Sequence, residues 1–449
     1  MIDQLPILAS RRIFALISFC LALIVSCQHE HKASFSRNDC REVGEQNSDI
    51  LEYCNLDPSN PERNAVISSF VGDYEKAILY ATERAFEPVN TSVEESAELK
   101  TYLEQQLNDS SLEQELRESM SSFLEVLKRP EQAEILFSEY RAQNAEAMIA
   151  ERSASFQFTF INEAHYSSRN RLFTLSLLKP LWNNGYRYLA LEGLGYRDSL
   201  LQKRGYPINE SGYYIRESSF GKLVREALKI GYTLVAYETQ KRLDGSERDR
   251  DQAVNIIERT IKTDPSAKIL VHVGYSHLNE KGGSSYTPLG AHIRELTNQD
   301  ILTIDQIVML DLADIEKVHP YYKYVKSSKK LNEPTVFVRG SDETVLIDAV
   351  NHGAIDIQVY LPPIKFVQGR PEWLFMDGWH YYSLPEEITN NFKGYLIQAR
   401  STKENLQAVP YDQLTIEDSS GLVLTPGSYC LTVINCNGEN IEEYTMQAN

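Results

Sequence analysis

From Phe156 onward, short apolar runs alternate with stretches whose apolar residues recur every three or four positions. The runs cover 156–161, 188–191, 233–237, 268–273 and 301–304, and the helical periodicity covers 169–183, 220–229, 248–262 and 289–297. Strands that alternate with helices imply right-handed crossovers. The pattern therefore predicts an α/β fold, a mainly parallel sheet flanked by helices, with further strands at 335–338 and 356–361. Sheet-forming pattern spans 155–375. Ahead of it, 63–150 is rich in Glu, Leu and Ala, and Leu99, Leu103, Leu107, Leu112 and Leu116 fall at helical spacing. Pro130 marks a helix start there. One α/β domain over 63–385 is expected, with an N-terminal helical segment. A small C-terminal β module follows at 386–449, with strands at 394–399, 421–424 and 428–434 and no helix pattern. The chain opens differently: Arg11 and Arg12 precede a 13-residue run at 13–25 that is apolar but for Ser18. A membrane span needs about 20, so 1–26 reads as a signal peptide. Polar residues 27–62 read as a tether.

Composition narrows the compartment. Ile24-Val25-Ser26-Cys27 resembles a bacterial lipobox, which implies cleavage before Cys27 and lipidation of its thiol. Gln28, rather than Asp, favours the outer membrane. A cell-envelope protein held to a membrane through lipid on Cys27 is expected, because each buried CH₂ of an acyl chain contributes about 0.8 kcal/mol. The 449-residue chain carries a net charge of −18. The leader holds two basic residues and one acidic one, so removing it leaves −19. That balance argues against nucleic acid, whose phosphates are bound mainly by Lys and Arg. It also argues against a broad grip on anionic lipid. Besides Cys27, the mature chain keeps Cys40, Cys54, Cys430 and Cys436, an even set suited to an oxidising compartment. Cys40 and Cys54 flank a segment that closes easily. Cys430 and Cys436 lie along a strand, where six residues span about 20 Å, so they bond only if the chain turns before Cys436.

Ligands of an open α/β sheet bind beyond the carboxyl ends of its strands. The five runs are followed by Asn162-Glu163-Ala164-His165, by Glu192, by Glu238, by Gly274-Tyr275-Ser276-His277 and by Asp305. If the strands are adjacent and parallel, these acids and histidines converge on one rim. A lone Glu after a strand is usually a helix N-terminal acid, but five such ends in series point to a site. His272 lies inside a run and reads as packed; His292, His319, His352 and His380 have no comparable setting. There is no phosphate-binding GxxxxGK[ST], no GxSxG elbow and no HExxH. The 26 tyrosines read mostly as packing. Arg370-Pro371-Glu372-Trp373-Leu374 reads as an anchoring segment, since the Trp373 ring needs a partner, and the β module reads as structural, packing on a sheet edge.

These motifs together resemble the Tiki, ChaN and erythromycin-esterase superfamily. The resemblance runs over 155–310 and rests on Glu163-Ala164-His165, Arg169 four residues on, Glu192, and Val271-His272-Val273-Gly274-Tyr275-Ser276-His277. Many relatives have Gly where this chain has Asn162, so a side chain is expected to crowd the rim. The resemblance implies a hydrolase that cleaves an ester or amide bond of a small-molecule or peptide substrate. His165 would act as general base on water, with Glu163, Glu192 and Glu238 orienting it and His277 contributing. Arg169, or Arg248 or Arg250, would stabilise an oxyanion. The Tiki-like branch implies instead a divalent ion (zinc, manganese or cobalt) held by His165, His277 and Glu163. Two other expectations stand beside these: a haem- or metal-binding lipoprotein without turnover, and a degenerate scaffold of the same fold.

Overall fold

The computed structural model describes residues 32–37, 47–84, 133–283, 285–348, 351–417 and 420–449, with 101, 103–108, 117 and 124. The leader, Cys27, His29, His31, Cys40, Leu99, Leu112, Leu116 and Pro130 lie outside them. Leu103 and Leu107 fall in helical turns, with Leu103 buried.

The centre is a six-stranded parallel sheet, ordered β5-β4-β6-β3-β7-β9. Its strands are β3 (Phe158–Glu163), β4 (Tyr186–Leu191), β5 (Thr233–Ala236), β6 (Lys268–Gly274), β7 (Leu302–Asp305) and β9 (Ile357–Gln358). Every residue of β3 is buried, as expected of a strand covered on both faces. Phe158, Phe160, Ala190 and Val271 pack on α7 (Gly245–Arg259) and α8 (Leu289–Thr297) through Ala253, Ile256, Leu289 and Ile293. Ile161, Leu189, Leu191 and Leu270 face the other way, onto α4 (Ala145–Ser153), α5 (Ser168–Asn183) and α6 (Ser218–Ile230). Period-two alternation thus sends neighbouring residues to opposite layers.

Several expectations are corrected. The segment 63–150 is not wholly helical: after α2 (Pro61–Phe70) and α3 (Tyr74–Arg84), Tyr140–Asn144 forms β2. It pairs antiparallel with β8 (Thr335–Arg339), which therefore lies outside the parallel sheet. The tether reading of 27–62 also fails where residues are described. Ala33–Arg37 is strand β1, Ser48–Tyr53 is helix α1, and Phe35 packs on the core of the C-terminal module.

That module is a five-stranded sheet, β1-β17-β16-β13-β14, from β13 (Leu396–Ser401), β14 (Asp412–Thr415), β16 (Gly427–Ile434) and β17 (Asn440–Ala448). It starts before residue 386, because β12 (His380–Ser383) pairs with β15 (Gly421–Leu424), and it contains a short helix, Glu386–Asn391. It packs on the helical layer rather than a sheet edge. Arg225 of α6 holds Glu404, and Gln413 donates to the Phe70 carbonyl at 2.5 Å. At Gly72 (φ +74°) a Cβ would stand 1.9 Å from the Gln413 carbonyl oxygen, so only glycine allows this approach. Cys54 bonds to Cys436, with Cα atoms 5.7 Å apart, which overturns the Cys40–Cys54 expectation; Cys430 is also disulfide-bonded.

Candidate active site

The strand order brings the expected groups to one rim. Reading across the sheet, Glu238 follows β5, Glu192 follows β4, Gly274 closes β6 and His277 follows it, Glu163 closes β3 and His165 follows it, and Asp305 closes β7.

Glu163 is 2% exposed and is held by Arg171, whose Nε donates to Oε2 at 2.6 Å and whose Nη2 donates to Oε1 at 3.1 Å. Burial opposes ionisation, but Arg171, the His165 hydrogen bond and His272 outweigh it, holding the carboxyl well below the usual range. Arg171 is wholly buried and also bonds Glu217 at 3.1 Å, while Glu217 accepts from the Tyr74 hydroxyl at 2.7 Å. An ionised carboxylate only accepts. The contact of His165 Nδ1 with Glu163 Oε1, at 3.1 Å, therefore makes Nδ1 the protonated nitrogen and leaves Nε2 with its lone pair. The ring is clamped by Tyr214, stacked at 4.1 Å, and by the edge of Tyr275 at 4.9 Å.

The Cε1–Nε2 edge of the ring packs on Gly274. A Cβ there would stand 2.5 Å from Cε1, 2.8 Å from Nε2 and 3.0 Å from Glu192 Oε2, so only glycine lets the imidazole and this carboxylate come so close to the strand end. Tyr275 beside it takes a left-handed backbone (φ +46°), a strained state of the kind concentrated at functional sites. Glu192 accepts from the Gly274 N–H at 2.5 Å and from Arg248 Nη2 at 3.0 Å. Burial opposes its charge, yet His165, His277, that N–H and Arg248 keep its pKa below the ordinary value. Arg248 also donates from Nε to Glu238 at 3.0 Å, bridging the ends of β4 and β5.

A second imidazole–carboxylate pair completes the rim. His277 Nδ1 lies 2.7 Å from Asp249, whose carboxylate also accepts from the Tyr286 hydroxyl and from the Leu289 N–H at the start of α8. Desolvation would lower the His277 pKa, but Asp249 and Glu192 raise it overall.

Glu163, His165, Glu192, Glu238, His277 and Arg248 thus assemble. Arg169 does not: its guanidinium lies over Trp373, 5.2 Å from the ring centre. Two residues along a helix turn the side chain by about 200°, so Arg171, not Arg169, reaches Glu163. Arg250 is exposed for the same reason, while Asp249 points inward. Asp305 is buried beside the rim, accepting from Asn162 at 2.7 Å, and burial raises its pKa to about 6. The Asn162 side chain is spent on Asp305, Gln306 and the Tyr275 carbonyl, so it does not crowd the rim, and the scaffold reading loses its support. The metal set of His165, His277 and Glu163 does not converge either. Both Glu163 oxygens and His165 Nδ1 are committed to one another or to Arg171, and no group of three metal-ligating residues forms among the described residues.

Arg171, Glu217, Asp249 and Tyr286 went unread in the sequence. The available signal was a charge on a buried helical stripe: Arg171 with Thr174 and Leu178, and Asp249 with Gln252, Ala253 and Ile256.

No protein-family model matches the chain, nor does any curated protein. Solved bacterial structures show weak likeness. The type III effector HopBA1 is 12% identical over 40% of this chain and 94% of its own, with a TM-score of 0.28. The C-terminal region of Pasteurella multocida toxin, described with a thiol-protease-like catalytic triad, is 14% identical over 55% of this chain and 37% of its own, with a TM-score of 0.27. RRSP, a MARTX toxin effector domain from Vibrio vulnificus, is 14% identical over 62% and 66%, with a TM-score of 0.28. Scores at this level fall short of a shared fold.

Proposed function

We infer that the rim is the active site of a hydrolase that cleaves an ester or amide bond with a water activated by His165. The observation that carries this reading is the buried Arg171–Glu163–His165 relay. It fixes the imidazole tautomer and leaves the lone pair on Nε2, which lies beside Gly274 and Glu192. Water placed there would give its proton to Nε2 as its oxygen attacks the carbonyl carbon. Glu163 would stabilise the imidazolium that results, as a carboxylate does in a catalytic triad. His277, whose protonated form Asp249 and Glu192 favour, is suited to protonate the leaving group. A general base contributes on the order of 10²–10⁴ in rate. His165→Ala should therefore lower kcat/KM for a p-nitrophenyl ester or an anilide by about that factor while its melting transition is kept. Retention of wild-type hydrolysis by that variant would sink the mechanism.

The leader and lipobox imply an envelope protein acylated at Cys27. Inhibiting the lipoprotein signal peptidase should make a larger precursor accumulate, and an unchanged mature species would refute the anchor.

A further inference from the structure

A pocket apart from the rim lies between α3, the turn 166–169 that leads into α5, and residues 310–312, Ile364 and Trp373. Its enclosed volume is about 30 Å³ and it opens to solvent, and Ala77, Ile78, Leu310, Leu312, Ile364 and Trp373 make its walls largely apolar. Arg169 and Ser167 bring donors to the lining and Asp311 brings a carboxylate. Among the described residues neither donor hydrogen-bonds to an acceptor. Asp311 and Glu372 favour the Arg169 charge from a distance but do not hydrogen-bond to it. Asp311 is held by Lys326 at 2.7 and 2.9 Å and by the Ile364 N–H at 2.8 Å. Glu372 is exposed and lies 3.8 Å from Lys365. Arg169 therefore lies over a tryptophan face with no acceptor hydrogen-bonded to its guanidinium.

We propose that this pocket binds the carboxylate of a small organic acid with an apolar body. A half-buried cation with no hydrogen-bonded acceptor is stabilised when an anion meets it. The guanidinium fork matches a carboxylate with two parallel hydrogen bonds, and the Ser167 hydroxyl can serve a remaining lone pair. One cation balances one negative charge, whereas a dianionic phosphate would bring a second that nothing in the lining answers. The apolar walls select the rest of the molecule. None of this uses His165 or Glu163, so the pocket is tested separately from the rim.

Isothermal titration of the full chain with 3-phenylpropanoate and with 3-phenylpropan-1-ol isolates the contribution of the charge. The acid should bind at least about tenfold tighter than the alcohol, a margin of about 1.4 kcal/mol. Arg169→Gln should abolish that preference, Arg169→Lys should keep part of it, and His165→Ala should leave it unchanged. The proposal is overturned if acid and alcohol bind wild type alike, if neither saturates, if phenyl phosphate binds tighter than the acid, or if folded Arg169→Gln keeps the preference. Should Arg169→Gln fail to fold, the wild-type comparison and Arg169→Lys decide.

Discussion

At the scale of single residues, Arg171 is the group on which the rim depends most. Its fully buried guanidinium is shared between Glu163 and Glu217, both almost without solvent. Removing one partner of a buried ionic cluster leaves the others charged and uncompensated, at a cost of roughly 3–5 kcal/mol. Arg171→Met should lose about that much stability in urea unfolding, and adding Glu163→Gln should recover part of it. A single variant within about 1 kcal/mol of wild type would show that the cluster does not carry the fold. Most acidic and imidazole members of the rim were legible because a strand end announces itself: an apolar run stops and a polar group follows. Arg171 and Asp249 were not legible in that way, since they act from the sides of helices and only the buried stripe gives them away. Arg169 shows the hazard, for it lies two positions from the right residue and faces the wrong way.

At the scale of elements, five parallel strands and four helices were readable because burial on both faces makes each strand mostly apolar along its length. Strand bounds shifted by no more than two residues at either end. What escaped were elements whose partners lie far along the chain. Tyr140–Asn144, with Arg, Gln and Asn, has no apolar period of its own and is a strand only because Thr335–Arg339 lies beside it. Ala33–Arg37 looks like a solvated linker until β17 is placed against it. The disulfide follows the same rule. Strand length correctly argued against a simple Cys430–Cys436 bond, but nearness in sequence pointed to Cys40 as the partner of Cys54, whereas the fold delivers Cys436 across 382 residues.

At the scale of the whole molecule, buried titratable groups set how stability responds to pH. His272 is 1% exposed, and burial pushes its pKa down to about 4. The unfolded chain takes up that proton near the ordinary value of about 6.5, while the folded chain refuses it. The contribution is therefore full above about 6.5 and is lost as pH falls toward 4. Asp305, raised to about 6, and Glu280, raised to about 7, act in the opposite sense, because ionising them costs the folded state as pH rises. The informative quantity is thus a difference. Between pH 6.5 and 4, His272→Gln should gain stability relative to wild type by up to about 3 kcal/mol, following 1.36 kcal/mol per pKa unit. Parallel urea midpoints for the two proteins across that range would contradict the assignment.

The pairing of β1 with β17 has a consequence in time. Ala33 lies opposite Ala448, and Arg37 opposite Tyr444, so the partners are more than 400 residues apart. At roughly 5–20 residues per second, synthesis leaves the early strand waiting on the order of 20–80 s for its neighbour to exist. Through that interval Phe35 has no core to enter, and the edge stays open to pairing with any other chain. A nascent or shortened copy lacking its last strand would present both an unfinished sheet and a loose beginning at once. Closure of this seam thus reports that synthesis has passed β17.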